Sequence, residues 1–217
     1  MTYDTTHLAA DFIGYLKNIQ EHAGHQPHAL KLARDLNMRV RIGTINRAYP
    51  EAQPNPVLVV QPWYYGNTWM LRHELAHVML YWSGLEAEVI EEFGSEVGWK
   101  VIENLCQQAE AFLLITQPMV DDAVRRFGVS AQAVRHLQKL SGARPEVALR
   151  RLIYDNPHAE RAGFLMSRDY VTEVAQCNFG LPFGWSEKVS KPAQLFGSDA
   201  RLTFTRRFGL GVGVVGW

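Results

Sequence analysis

Cysteine is scarce in this chain. The two present, Cys106 and Cys177, are too few for a disulfide framework and match no zinc-ribbon spacing. A charge excess of either sign is also missing, since 22 Lys and Arg balance 22 Asp and Glu in 217 residues. General electrostatic attraction of the whole chain to nucleic acid is therefore not expected. No apolar run approaches the roughly 18 residues that a bilayer span needs, and the opening MTYDTTHLAADF has no basic region leading into an apolar one. Membrane insertion and export are not expected, and a reducing cytoplasm is the expected home. No internal repeat or low-complexity tract is evident.

What is present is a globular composition, 47% hydrophobic and 20% charged, in a chain long enough for a sizeable core. Phe12, Ile13, Leu16 and Ile19 fall at helical spacing, and a short second helix is expected from His28 to Leu36. MRVRIGTI (Met38 to Ile45) alternates like a half-exposed strand, VLVVQ (Val57 to Gln61) reads as a buried one, and NRAYPEAQPNP between them reads as a loop. A helix capped by Asn67 or Thr68 ends at Ser83-Gly84, an acidic segment EAEVIEEFGSE follows, and a second long helix runs from about Val97 to Thr116. Shorter helices are expected between Met119 and Tyr154, then short β-like runs: GFLMS, YVTEVAQCNF, RLTFTRRF and GLGVGVVGW. The fold class is α+β, in three segments: 1–118, a helical 119–156 and a β-rich 157–217.

The stretch TWMLRHELAHVMLYW carries the chemistry. Residues four apart on a helix lie one above the other, so the imidazoles of His73 and His77 can converge on one ion. Glu74, one position on, is rotated by about 100 degrees and can face a water as general base rather than ligate. Leu71, Leu75, Val78 and Trp82 form a separate apolar stripe expected to face the core. A catalytic zinc site needs a third protein ligand. Glu103, Cys106, Gln107 and Glu110 share one face of the next helix, and one of them should supply it.

The HELAH helix, followed some 25 residues later by E-x-L-C-x-x-A-x-A-F-L-L near a proline (Glu103 to Pro118), resembles the ImmA/IrrE family of metallopeptidases. The resemblance covers roughly Ala29 to Ile153 and implies a zincin-like core in 1–118, a small sheet packed beside the helices that hold the metal. It implies His73, His77 and Glu103 as metal ligands and Glu74 as the catalytic residue. The sequence departs from the family at Gln107, where Asn is usual, and at LLITQPM, which keeps Glu110 as the alternative third ligand. Zinc is the expected metal, with manganese the alternative. By the same resemblance, Val57 to Gln61 would offer an edge to an extended substrate.

Family membership would imply a zinc-dependent endopeptidase that cuts a helix-turn-helix transcriptional repressor in a stress-response or mobile-element switch. Tyr81, Tyr154, His136 and His158 are candidates to stabilise the oxyanion. The rival reading lies in FGVSAQAVRHLQKL, where Gly128 turns the chain, Ser130 caps, and Ala131 to Leu140 resembles the recognition helix of a helix-turn-helix-like segment. Met119 to Tyr154 carries seven basic and three acidic residues. The alternative is therefore a DNA-binding or partner-binding regulator whose metal site is structural or inactive.

Overall fold

A computed structural model describes residues 6–196 and 201–216. Residues 1–5 of the opening stretch and Trp217, the end of the terminal apolar run, lie outside the described residues. The fold is α+β, with seven α-helices and two small sheets among the described residues. The chain divides into two compact units, Met1–Gln117 and Pro118–Trp217.

In the first unit, α1 (Thr6–His22) buries Leu8, Phe12, Ile13 and Leu16, a single helical face. After α2 (Ala29–Asp35) come β1 (Arg39–Ile42), β2 (Arg47–Tyr49) and β3 (Val57–Val60), which form a sheet of order β1-β3-β2. β1 pairs in parallel with β3, and β2 pairs antiparallel to it in the register Ala48↔Leu58. Two expectations are corrected here. β2 lies in the stretch read as loop, because three residues flanked by turns are too short to show a period. The substrate edge expected at Val57 to Gln61 is not free, because β3 is the central strand with both edges paired. Its unbroken apolar run is the mark of that central place.

The helix carrying the histidines is α3 (Trp69–Ser83). The Thr68 side chain accepts the Leu71 amide at 3.3 Å, and Gly84, at φ 81, closes the helix in the left-handed region. α3 contacts β2 and β3, as well as α1 and α4 (Leu85–Leu114), so it is buried well beyond one stripe. Leu71, Leu75 and Val78 are fully buried, but Trp82, expected to continue the stripe, is exposed in the last turn. The acidic segment is not a separate linker. Leu85 and Val89 bury one face of it, and it forms the start of α4. Gly94, at φ 72 and ψ 168, then breaks α4, a conformation that essentially glycine alone adopts.

In the second unit, α5 (Gln117–Phe127), α6 (Ala131–Ser141) and α7 (Pro145–Ile153) precede an antiparallel sheet of order β5-β4-β7-β6. Its strands are β4 (Arg161–Ser167), β5 (Tyr170–Cys177), β6 (Arg201–Arg207) and β7 (Leu210–Gly216). The sequence pattern divides the helices of 119–156 from the strands of 157–217. In the structure they belong to one unit, in which α7 packs on β4 and β5, and α6 on β6 and β7. Leu210–Gly216 of the terminal run form β7, an inner strand whose residues Gly211–Val215 are buried.

Candidate metal centre

One helical turn of α3 sets His73 above His77, with Nε2 to Nε2 at 3.2 Å. α4 brings Glu103 to both rings, at 3.2 Å from His73 Nε2 and 3.4 Å from His77 Nε2. These three residues form the one group among the described residues able to hold a metal ion. Their spacing fits zinc: ligand bonds of about 2.0–2.1 Å at tetrahedral angles put donor atoms about 3.3 Å apart. Two imidazoles and a carboxylate form a donor set that divalent metal ions accept.

Glu74 is not among the grouped donors. It is buried beside them, and the nearby Ala48 amide on β2 favours its charged form. Burial pushes its carboxyl up to about 7, with Glu103 adding to the rise and His73 and the Ala48 amide opposing it. Burial and the neighbouring His73 push His77 down, which favours the neutral ring that metal binding requires. For His73, burial opposes the charged form, but Glu110, Glu103 and Glu74 outweigh it and raise the ring.

The remaining candidates fall into different places. Glu110 meets His73 from the other side of the ring, 3.2 Å from Nδ1. Cys106 is fully buried, and burial pushes its thiol well up, as suits an inert packed residue. Gln107 lines the same cleft as His73, His77 and Glu103. Of the four residues considered for the oxyanion, Tyr81 lines that cleft, and its hydroxyl donates to Glu51 Oε1 at 3.1 Å. His136, Tyr154 and His158 belong to the second unit.

The cleft has a volume of about 910 Å³ and is lined along one side by the chain from Asn46 to Ala52, which includes the edge strand β2. Trp69 and Trp99, each 51% exposed, are also in its wall. Sequence reasoning missed these walls. Trp69 stands one turn before His73, so its place on the cleft could have been read from the helical period. β2 carried no such signal.

In the helix-turn-helix-like segment, α5 and α6 are joined by a turn in which Gly128 has φ 65 and Ser130 caps α6 through the Ala133 amide at 3.2 Å. The side chains of α6 are largely engaged within the unit. Arg135 donates to Thr205 Oγ1 at 2.7 Å and to the Leu210 carbonyl at 3.1 Å, and His136 pairs with Asp122 at 2.9 Å.

The chain is similar in fold to a solved structure described as a Mycobacterium tuberculosis transcriptional regulator. The TM-score is 0.57 with 14% sequence identity, over 99% of this chain and 90% of that one. No family model matches the chain, and no curated protein matches it. No helix among the described residues is long and apolar enough to cross a membrane.

Proposed function

We propose that this chain is a metal-dependent endopeptidase of the ImmA/IrrE type, with a zincin-like core and a protein substrate. The observation that carries this reading is the convergence of His73, His77 and Glu103, at 3.2–3.4 Å, beside the buried carboxylate of Glu74. His73, His77 and Glu103 would hold the zinc ion, which when bound would supply Lewis acidity toward a water and a peptide carbonyl. The chain's own residues do the rest. Glu74 takes a proton from the attacking water and returns it to the leaving amine, and the nearby Ala48 amide favours its ionised form.

An extended peptide suits the cleft because β2 is an edge strand with one side unpaired, and strand addition supplies main-chain hydrogen bonds. A helix-turn-helix repressor is the proposed substrate, which would place the enzyme in a transcriptional switch. The test is to incubate the zinc-loaded protein with candidate repressors and read fragment masses. Cleavage at one bond that is lost in Glu74→Gln supports the reading, and intact substrates from a fully loaded enzyme count against it.

A second reading has its own observation, the fold likeness to a protein described as a transcriptional regulator. On that reading the chain binds DNA or a partner, and the metal site stabilises the first unit without turnover. Arg135 and His136 are engaged internally, so DNA contacts from α6 would fall to exposed residues such as Gln132 and Lys139. A salt-dependent shift of a duplex, reduced by Lys139→Glu, supports this second reading.

A further inference from the structure

His73 is contacted from both ends of its ring. Nε2 faces His77 and Glu103, while Nδ1 lies 3.2 Å from Glu110 Oε1. That Nδ1 is buried without an aligned hydrogen bond, and the Glu110 carboxylate is the acceptor within ion-pair distance of it. Ring nitrogens of an imidazole point away from each other, so a carboxylate at Nδ1 does not share an ion held at Nε2. This geometry separates Glu110 from Glu103, although both lie on the same helix.

A buried charge lies near Glu110. Arg72 is 4% exposed, and its guanidinium donates to the Pro27 carbonyl at 3.0 Å and to Asn67 Oδ1 at 2.5 Å. Asn67 Oδ1 also accepts the Ala29 amide at 2.9 Å, tying α2 to the start of α3. Burial pushes Arg72 down to about 10, and the nearby Glu110 charge opposes that fall. The Glu110 charge acts on Arg72 from beyond ion-pair distance and offsets part of the cost of burying that cation.

We propose that Glu110 is a positioning residue. By accepting the Nδ1 proton of His73 it fixes the tautomer whose Nε2 lone pair faces His77 and Glu103, with the Arg72 charge nearby. The proposal deepens the metal reading above and rests on it. A carboxylate behind a ligating imidazole fixes the ring and raises its basicity, and losing such a partner costs about 10–100-fold in metal affinity.

The experiment compares Glu110→Ala, Glu110→Gln and Glu103→Ala with the unaltered protein, by chelator competition for zinc and by the visible spectrum of the cobalt-substituted forms. Glu110→Ala should bind zinc about 10–100-fold more weakly with an unchanged cobalt spectrum. Glu110→Gln should recover most of the affinity, because its amide oxygen still accepts the proton. A merely structural role gives no such recovery. Unchanged affinity in Glu110→Ala, or a cobalt spectrum altered as much as in Glu103→Ala, would overturn the proposal.

Imidazole nitrogen shifts of the metal-free, unaltered protein give a readout independent of loading and of variant folding. His73 should carry its proton on Nδ1, and a proton on Nε2 overturns the proposal. If zinc fails to bind the unaltered protein while His73 keeps that tautomer, the metal reading falls and the Glu110 contact stands as an orienting contact only, which also overturns its proposed role toward the metal.

Discussion

The Glu103 carboxylate stands 3.4 Å from Nε2 of His77, although the Glu103 side chain is 52% exposed. With the His77 ring pushed toward its neutral form and the carboxylate half-exposed, this contact contributes about 0–1 kcal/mol to folding. Stability alone therefore gives little reason to hold a glutamate against two imidazoles. Glu103→Ala should change the stability of the metal-free protein by less than about 1 kcal/mol. Its zinc affinity should fall by more than the roughly 100-fold typical of an outer contact. Denaturant melts and zinc competition on the same preparations check both halves, and full zinc retention would remove Glu103 from the site.

Glu74→Gln should keep its zinc and lose cleavage. The substitution removes a base but none of the three residues grouped around the metal position. General acid–base catalysis is worth about 10²–10⁴-fold, so cleavage should fall at least that far while metal content stays equal to that of the unaltered protein. Metal analysis and fragment masses check this. Loss of zinc in this variant would give Glu74 a ligand's role instead.

The histidine pair was legible because a helix of known period fixes where residues four apart stand. The α+β class and most elements were legible too, since α1 carries a helical period and the strands of the second unit are short β-like runs bounded by turn residues. The place of β2 was not, because pairing with β3 makes Arg47–Tyr49 a strand and no local pattern does. The separate places of Glu103 and Glu110 were also hidden. Both lie on one helical face, and only the packing of α4 on α3 assigns them to opposite ends of the His73 ring.

The second unit should lose stability in acid through Asp122. The side-chain contact with His136, then that with Arg126, both at 2.9 Å, hold its carboxyl down at about 2. A carboxyl lowered on folding contributes stability that is complete above its unfolded value, about 3.9, and is lost as pH falls toward the folded one. Melting temperatures should therefore drop between about pH 4 and 2 more steeply in the unaltered protein than in Asp122→Asn. Parallel acid limbs for the two proteins would show that the Asp122 contacts are not formed in solution.

Gly213 is the position in the second sheet least able to accept a side chain. It pairs with Phe164 on β4 and with Phe204 on β6, whose rings stack across it at 6.1 Å and 22°. A Cβ there would lie 2.2 Å from Phe164 Cζ, so the ring would have to leave its place. Phe164 is fully buried against Met166, Val171 and Phe183 and has little room to move. Overpacking of this kind costs about 1–3 kcal/mol, and Gly213→Ala should lower stability by that amount in denaturant melts. In the Phe164→Leu background the added methyl loses its main obstacle, so the same substitution should cost less. Equal costs in the two backgrounds would mean that the Phe164 ring does not lie against Gly213.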